Sequence, residues 1–264
     1  MLLAAFPEAR EGRAAGRSAL ERVHAPEYLD ALANLSEPAW IDGDTIASET
    51  SWEAALLAAG CAIEAAETGA FALVRPPGHH ATPRRGMGFC LVNNVAVAAR
   101  HMQSEQGVER IAIVDFDVHH GNGTQDAFLG DDSVLYASLH QSGIYPGTGR
   151  VGEGGSTTVN VPLQAGSGDE EWIDAFARHV EPAVVRFEPE LVLVSAGFDA
   201  HEDEDLYLVD MRVTDAGFRE LAKCCAGLAP RIGVVLEGGY NLGTLSRLVS
   251  AALEGFGQES ATAG

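Results

Sequence analysis

The stretch IAIVDFDVHHGNGTQ, residues 111–125, decides how this chain is expected to fold and where its chemistry lies. It begins as a continuous apolar run, which is typical of a strand buried on both faces of a parallel sheet. It continues into closely spaced aspartate and histidine side chains. The predicted strand covers residues 111–117, and five further strands are predicted in the 264-residue chain at 70–75, 134–140, 157–163, 191–198 and 232–239.

Helical patterns lie between most of these strands. Thr50 and Glu53 have the spacing of a capping box at the start of the first helix, and Thr214 is a candidate N-cap for a later one. Strands that alternate with helices predict a three-layer α/β/α sandwich around a mainly parallel sheet. No repeat or linker divides the chain, so the sequence predicts a single domain over residues 1–264. The predicted helices cover residues 51–67, 91–106, 170–187, 215–229 and 243–256.

Residues 141–156 connect two predicted strands without a helical pattern and contain six glycines. Gly147, Gly149 and Gly152 have the spacing of the dinucleotide-binding fingerprint. That fingerprint requires a helix to begin at the glycines, so that the helix N-terminus holds a pyrophosphate, whereas here a strand follows. The sequence therefore predicts a functional loop without a dinucleotide site.

Composition excludes several classes of function. The 17 Lys and Arg residues against 38 Asp and Glu give a formal charge of −21. A nucleic-acid-binding protein needs a basic surface for phosphates, so we expect no nucleic-acid partner. Four cysteines without a CxxC pair favour a reducing compartment. No signal peptide is recognisable and no apolar run approaches the roughly 20 residues of a membrane span, so we expect a cytoplasmic protein that does not bind membranes.

Polar side chains follow five of the predicted strands, and ligands of an open parallel sheet bind beyond the carboxyl ends of its strands. Asp117 and His119 lie two residues apart on an extended segment, so both can reach one ion. Asp199, at another strand end, supplies a third candidate ligand. A catalytic zinc site takes three protein ligands and keeps one position open. An isolated Asp-x-His tripeptide is usually only a polar strand end, so the metal site depends on the neighbouring clusters.

Acid–base groups are predicted beside these ligands. His79 and His80 follow Pro-Pro-Gly, a rigid turn, and imidazole titrates near neutrality, although two surface histidines are the alternative interpretation. Asp115 shares a face with Asp117 and can orient one of these histidines. Tyr240 follows two glycines and can donate a hydrogen bond to a developing oxyanion. Together with a metal, these groups predict metal-assisted hydrolysis.

Six segments closely resemble the histone deacetylase family, in particular class II members and bacterial histone deacetylase-like amidohydrolases of the arginase–deacetylase fold. The resemblance covers residues 22–256 and follows the family order. It implies a metal-dependent deacetylase that hydrolyses the acetyl-amide of an acetylated lysine-like substrate. The segments are RPPGHHA (75–81), GFCLVNN (88–94), DFDVHHGNGTQ (115–125), SLHQSGIYPGTG (138–149), SAGFDAH (195–201) and LEGGYN (236–241).

The resemblance also implies a role for each matching residue. Zinc would be bound by Asp117, His119 and Asp199. His80 would be the general base, His79 would assist it while paired to Asp115, and Tyr240 would polarise the substrate carbonyl. The implied lining of a narrow substrate tunnel is Gly88, Phe89, Tyr145 and Leu206, with Asp44 at the rim. The implied structural potassium site involves Asp115, Asp117, His119, Ser138 and Leu139.

Two departures from the family pattern stand out. Asn122 occupies the place of an aspartate in class I members, and class II members share the asparagine, so we expect a changed pKa of the base. The strand and long loop that usually precede the segment resembling 19–32 are missing or replaced by residues 1–16, so we expect an N-terminally shortened version of the fold. A second copy of the chain, in a homo-oligomer, could cover the exposed sheet edge, and a misplaced start codon is the other explanation.

Three alternative functions stay open. An acetylpolyamine amidohydrolase uses the same chemistry, although loop 141–156 resembles the shorter deacetylase version. A binuclear manganese ureohydrolase of arginase type needs an aspartate at position 121, where this chain has glycine. A non-catalytic acyl-group binding module is the third. Fe²⁺ and Co²⁺ also accept two carboxylates and one imidazole, so the native metal is open between these ions and Zn²⁺.

Overall fold

The computed structural model describes residues 2–257 of the chain. The strands in this range are β1 Ala39–Trp40, β2 Ile46–Ala47, β3 Phe71–Ala72, β4 Ile111–Asp115, β5 Val134–Gln141, β6 Thr158–Leu163, β7 Leu191–Ala196 and β8 Ile232–Leu236. The helices are α1 Leu2–Ala5, α2 Arg17–Leu20, α3 Pro26–Ala33, α4 Ser51–Thr68, α5 Asn94–Gln106, α6 Asn122–Phe128, α7 Asp169–Ala175, α8 Glu181–Phe187, α9 Asp215–Ala226 and α10 Leu245–Gly255. A π-helical segment, Phe176–Val180, joins α7 to α8.

Six strands form one sheet in the order β3-β8-β7-β4-β5-β6, and every pairing in it is parallel. The strand order reverses at β4, because β5 and β6 extend the sheet on one side while β7 and β8 extend it on the other. Such a switch point opens a crevice at the carboxyl ends of the strands. The predicted parallel sheet is therefore confirmed. Strands β1 and β2 form a separate antiparallel hairpin.

Helices cover both faces of the sheet and complete the predicted three layers. Ile111 and Ile113 belong to one apolar cluster, together with residues of α4 and α5. Ala112 and Val114 belong to the other, together with residues of α7, α9 and α10. This alternation follows from the two-residue period of a strand. It explains why β4 is apolar at every position before Asp115.

Two local predictions are wrong. The predicted strand 70–75 is reduced to β3, an edge strand that pairs only with β8, through Phe71 opposite Val234 and Ala72 opposite Val235. The capping box does not form, because Thr50 has a helical backbone (φ −94°, ψ −7°) and its side chain makes no capping hydrogen bond. The Thr50 hydroxyl lies instead 3.2 Å from that of Ser48. The N-cap at Thr214 is confirmed, since its side chain accepts from the Gly217 N–H.

Helix α6, which begins at Asn122 within the stretch 111–125, was not predicted. Loop 141–156 leads into β6, as the rejection of a dinucleotide site requires. Among residues 2–257, no helix is both long enough and apolar enough to cross a membrane.

Candidate active site

Asp117, His119 and Asp199 come together at the switch point of the sheet. Asp117 and His119 follow β4, and Asp199 follows the neighbouring strand β7. The His119 Nδ1 atom lies 3.2 Å from Asp117 Oδ1 and 3.1 Å from Asp199 Oδ2. Two ligand atoms about 2.0–2.1 Å from a tetrahedral ion would be roughly 3.3 Å apart, so the three side chains fit one divalent cation. Both carboxylates are fully buried.

Backbone amides orient these two carboxylates. Asp117 Oδ2 accepts from the Gly238 N–H at 2.7 Å, and Asp199 Oδ1 accepts from the Val118 N–H at 3.0 Å. A Cβ atom on Gly238 would overlap Asp199 Oδ2 and lie 2.5 Å from Asp117 Oδ2, so glycine keeps the space between the carboxylates open. Burial and the nearby Asp117 raise the pKa of Asp199 to about 6. Such concentrated negative charge favours a cation.

His79 is fixed in a charged environment. Its Nδ1–H donates to Asp115 Oδ2 at 3.0 Å, and its Nε2 lies 3.8 Å from Asp117 Oδ1. Burial alone would lower the pKa of His79, but the carboxylates of Asp117 and Asp115 raise it to about 10. Asp115 is itself held by the Tyr136 hydroxyl, which donates to Oδ2 at 3.1 Å. The predicted pairing of Asp115 with a histidine is therefore present.

His80 has a different environment from its neighbour. Its Nδ1 lies 2.8 Å from Asn122 Oδ1. Burial lowers the pKa of His80 well below its usual value, and the nearby His79 and His119 lower it further. With an amide oxygen as acceptor, the assigned tautomer carries the proton on Nδ1 and leaves the Nε2 lone pair free. The pKa values of the two adjacent histidines therefore shift in opposite directions.

Gly121 bears on the ureohydrolase alternative. A Cβ atom at this position would overlap Asp115 Oδ2 and lie 2.5 Å from the Tyr136 hydroxyl and 3.0 Å from His79 Nδ1. The aspartate that a second metal would need has no space there. The geometry therefore disfavours the two-metal arrangement of the ureohydrolase alternative.

Glu237 is a buried residue of this site to which the sequence assigned no role. Its Oε2 accepts from the N–H groups of Gly78 and His79 at 2.7 and 3.1 Å, and the Ser195 hydroxyl donates to Oε1 at 3.2 Å. Burial raises the pKa of Glu237 to about 7. It fixes the backbone that carries both histidines. Its place directly after β8, at the edge that carries the other polar residues, is the available sequence signal.

Tyr240 lies near the two carboxylates of the metal-ligand group, which consists of Asp117, His119 and Asp199. Burial raises the pKa of its phenol well above the usual value, and the charges of Asp199 and Asp117 raise it further. Its ring packs edge-on against Phe89, with ring centres 5.6 Å apart. Because its pKa is raised, the Tyr240 hydroxyl stays protonated and can donate a hydrogen bond.

Two of the residues predicted to line the tunnel, Gly88 and Tyr145, lie beside His80. The Tyr145 ring centre lies 5.0 Å from that of His80. Gly88 has φ +55°, and a Cβ atom there would lie 2.5 Å from the His80 ring and 2.9 Å from Tyr145, so glycine leaves space beside the His80 ring. The Phe89 side chain is 45% exposed to solvent, and its backbone N–H donates to Thr45 Oγ1 at 2.9 Å.

The predicted rim residue Asp44 and the predicted lining residue Leu206 lie on different segments. Asp44 is exposed and accepts a hydrogen bond from the Thr45 hydroxyl at 3.3 Å. The pKa of Tyr145 is raised first by the burial of its own phenol and then by the charge of Asp44. Leu206 is half-buried and lies two residues after Glu204. The Glu204 carboxylate accepts a hydrogen bond from the Tyr240 N–H. Both lie on segments tied to the site, and their roles toward substrate stay predictions.

Two of the residues predicted for potassium face each other in the sheet. Asp115 pairs with Ser138 in the β4–β5 register, and both are fully buried, as is Leu139. The Ser138 hydroxyl lies 2.8 Å from His140 Nδ1.

Two open surface depressions, of about 560 and 540 Å³, lie beside β6 and beside α5 and contain none of the predicted site residues.

Comparison with known proteins identifies the family. The sequence profile of the histone deacetylase domain matches residues 2–256. Histone deacetylase 14, chloroplastic, of Arabidopsis thaliana is 44% identical over 79% of this chain and 54% of its own length. A probable deacetylase of Archaeoglobus fulgidus is 41% identical over 83% of this chain and 66% of its own. The chain spans about half the length of the plant relatives that it matches.

Solved structures show the same fold. The crystal structure of the HDA15 HD domain superposes with a TM-score of 0.91 at 40% identity, covering 98% of this chain and 83% of that one. An acetylpolyamine aminohydrolase from Burkholderia pseudomallei superposes with a TM-score of 0.86 at 28% identity, covering 97% and 88%. The chain is therefore a deacetylase domain of the histone deacetylase family, with the arginase–deacetylase fold.

Proposed function

We propose that this chain is a zinc-dependent amidohydrolase that removes the acetyl group from the amine of acetyl-lysine or a similar substrate. The observation that carries the proposal is the buried Asp117–His119–Asp199 group beside two histidines with different partners, His79 bonded to the Asp115 carboxylate and His80 to the Asn122 amide oxygen. A hydrolysis that needs a Lewis acid and a base would use both features.

Asp117, His119 and Asp199 would hold the metal ion. A divalent ion bound there lowers the pKa of water and polarises a carbonyl group. Zinc suits two carboxylates and an imidazole in a site with an open position, and Fe²⁺ or Co²⁺ accept the same ligands.

His80 would act as the general base. Its proton on Nδ1 is held by Asn122 Oδ1, so Nε2 accepts the proton of the attacking water. Asp117 and Asp115 raise the pKa of His79, which would favour its protonated form. It would support the developing negative charge and assist proton transfer to the leaving amine. The different contacts of the two histidines thus separate their roles.

Tyr240 would donate its hydroxyl hydrogen bond to the oxygen of the substrate carbonyl as negative charge develops. Its raised pKa keeps the proton on the phenol across the working pH range. Removing one such donor typically costs about 10²–10³-fold in kcat.

The substrate stem would pass between Phe89 and Tyr145, with Gly88 beside the base, Leu206 at the lining and Asp44 at the rim. Two aromatic faces suit the slim aliphatic stem of an acetylated lysine. The acidic side chain of Asp44 would attract a cationic substrate or bind its backbone amides.

We also propose a structural potassium ion held by Asp115, Ser138 and backbone oxygens of Asp117, His119 and Leu139. Support comes from the fully buried Asp115 carboxylate opposite the Ser138 hydroxyl. Replacing sodium with potassium in the buffer should then raise the melting temperature.

An acetylpolyamine is the second candidate substrate, favoured by the structural similarity to the Burkholderia enzyme. A cytoplasmic location, a homo-oligomer and the lack of a nucleic-acid partner stay predictions, and two plant relatives are named chloroplastic.

The test is deacetylation of an acetyl-lysine peptide and of acetylputrescine by zinc-loaded protein, with and without a chelator. We expect turnover that chelation abolishes and zinc restores, and the ratio of kcat/KM for the two substrates identifies the substrate class. Asp199→Asn should abolish zinc binding and turnover, whereas Asp132→Asn removes the same charge at an exposed site and should change neither. Chelator-insensitive turnover would overturn the proposal. Tight hydroxamate binding without turnover would indicate an acyl-group binding module instead.

A further inference from the structure

The loop that carries Tyr240 contains two glycines directly before the tyrosine. Gly239 has φ +112°, a conformation that side-chain-bearing residues rarely adopt. Glycine loses more conformational freedom on ordering than any other residue, so this loop needs restraint if the phenol is to stay in one place. Contacts from two other segments provide it.

Arg75 holds the loop through its carbonyl groups. Its Nη1 donates to the Glu237 carbonyl at 2.7 Å, and its Nη2 donates to the Gly239 carbonyl at 3.0 Å. The guanidinium carbon also lies 5.8 Å from the centre of the Tyr240 ring. A planar guanidinium can bind two acceptors at a fixed separation, which a lysine cannot do.

Glu204 holds the same loop through its amide groups. Its Oε2 accepts from the N–H groups of Tyr240 and Asn241 at 3.1 and 3.3 Å. The Asn241 side chain donates to the Asp203 carbonyl at 2.7 Å, which adds a bond between the same two loops. Hydrogen bonds to a charged carboxylate are stronger than those between neutral groups.

We propose that Arg75 and Glu204 are positioning residues that fix the Tyr240 hydroxyl over the metal-ligand group. The inference rests on the proposed function, in which Tyr240 is the hydrogen-bond donor. Arg75 binds the carbonyls before the tyrosine and Glu204 binds the amides at and after it. A shift of the loop therefore breaks bonds on one side or the other. Neither side chain has been placed in contact with substrate.

Their solvent exposure separates this role from a purely structural one. Arg75 is exposed and Glu204 is half-buried, so truncating either leaves no unpaired charge in the core. We expect little loss of global stability, because exposed charged contacts contribute little to it. The loss should fall on the position of Tyr240.

The kinetic test compares Arg75→Ala and Glu204→Ala with two controls, Arg84→Ala and Asp205→Ala, which remove the same charges from exposed positions nearby. Misplacing a catalytic group by about 1 Å can cost about 10²-fold, so we expect kcat to fall about 10- to 100-fold with KM and zinc content unchanged. In a Tyr240→Phe background each truncation should have no further effect on kcat. Glu204→Gln, which keeps one acceptor oxygen, should lose less than Glu204→Ala.

A second measurement does not depend on activity. Hydrogen–deuterium exchange of the peptide covering 237–242 should accelerate in Arg75→Ala and Glu204→Ala and stay unchanged in both controls. Unchanged exchange, or truncations whose losses multiply with that of Tyr240→Phe, would overturn the inference. If the wild-type protein showed no deacetylation, the proposed function would fail, and exchange alone would decide whether the two residues restrain the loop.

Discussion

Replacing Asn122 with aspartate should move the pKa of the proposed general base without changing the shape of the site. The two side chains are nearly isosteric, and Asn122 Oδ1 lies 2.8 Å from His80 Nδ1. The neutral amide now holds the Nδ1 proton. A carboxylate at the same place would hold it more strongly and favour the protonated imidazole.

The size of this effect follows from the short distance. Two unit charges about 4 Å apart interact by about 4 kcal/mol at an effective dielectric of about 20, and burial of the new carboxylate opposes part of that gain. An opposite charge at this range usually shifts a pKa by about 1–3 units. Because His80 accepts a proton only when neutral, a raised pKa moves the acidic limb of the rate profile to higher pH.

The assay is kcat/KM against pH for an acetylated substrate, measured for the wild type, for Asn122→Asp and for Asn34→Asp. Asn34→Asp adds the same charge at an exposed position far from residue 122 in sequence. It should leave the pH profile unchanged. Zinc content and circular dichroism verify that the variant is loaded and folded. An acidic limb that does not move in a folded, zinc-loaded Asn122→Asp would refute the assignment of His80 as base.

Three further predictions concern the metal site, the loop at Tyr145 and acid stability. Gly238→Ala should abolish zinc binding, measured as metal per chain, because its Cβ would overlap Asp199 Oδ2; retained zinc would contradict the assigned ligands. Gly149→Ala should lower the free energy of unfolding in urea by about 1–3 kcal/mol, because Gly149 has φ +86° and its Cβ would lie 2.5 Å from His140 Nε2. Burial lowers the pKa of His24 to about 4, against about 6.5 in the unfolded chain, so the unfolded state binds more protons between these values. His24 should therefore contribute a fall of up to about 3 kcal/mol in the unfolding free energy as pH drops from 6.5 to 4, measured as the difference in pH dependence between the wild type and His24→Gln.

Local pattern was informative wherever packing follows a simple period. The apolar run before Asp115 predicted a strand buried on both faces, and β4 lies at the centre of the sheet. Parallel strands bring their carboxyl ends to one edge of the sheet, so the sequence predicted that Asp117 and Asp199 lie close together. Boundaries were less accurate: the edge strand β3 is only Phe71–Ala72, because its pairing with β8 covers only these two residues.

The two histidines mark where that reasoning stops. His79 and His80 are neighbours in the chain and chemically identical, yet their pKa values shift in opposite directions. Asp117 and Asp115 raise the pKa of His79 against the effect of burial, whereas burial and the neighbouring His79 and His119 lower that of His80. The hydrogen-bond partners Asp115 and Asn122 are 36 and 42 residues away in sequence.

The sequence by itself determined the sheet, the edge at which polar residues gather and the chemical type of each side chain, because these depend on periodicity and chain direction. Only the tertiary structure decided that Glu237 supports the backbone of the histidines and that Arg75 and Glu204 flank the loop of Tyr240. Hydrogen bonds and charge interactions act over a few ångströms in space, and no local pattern encodes which distant residues come that close.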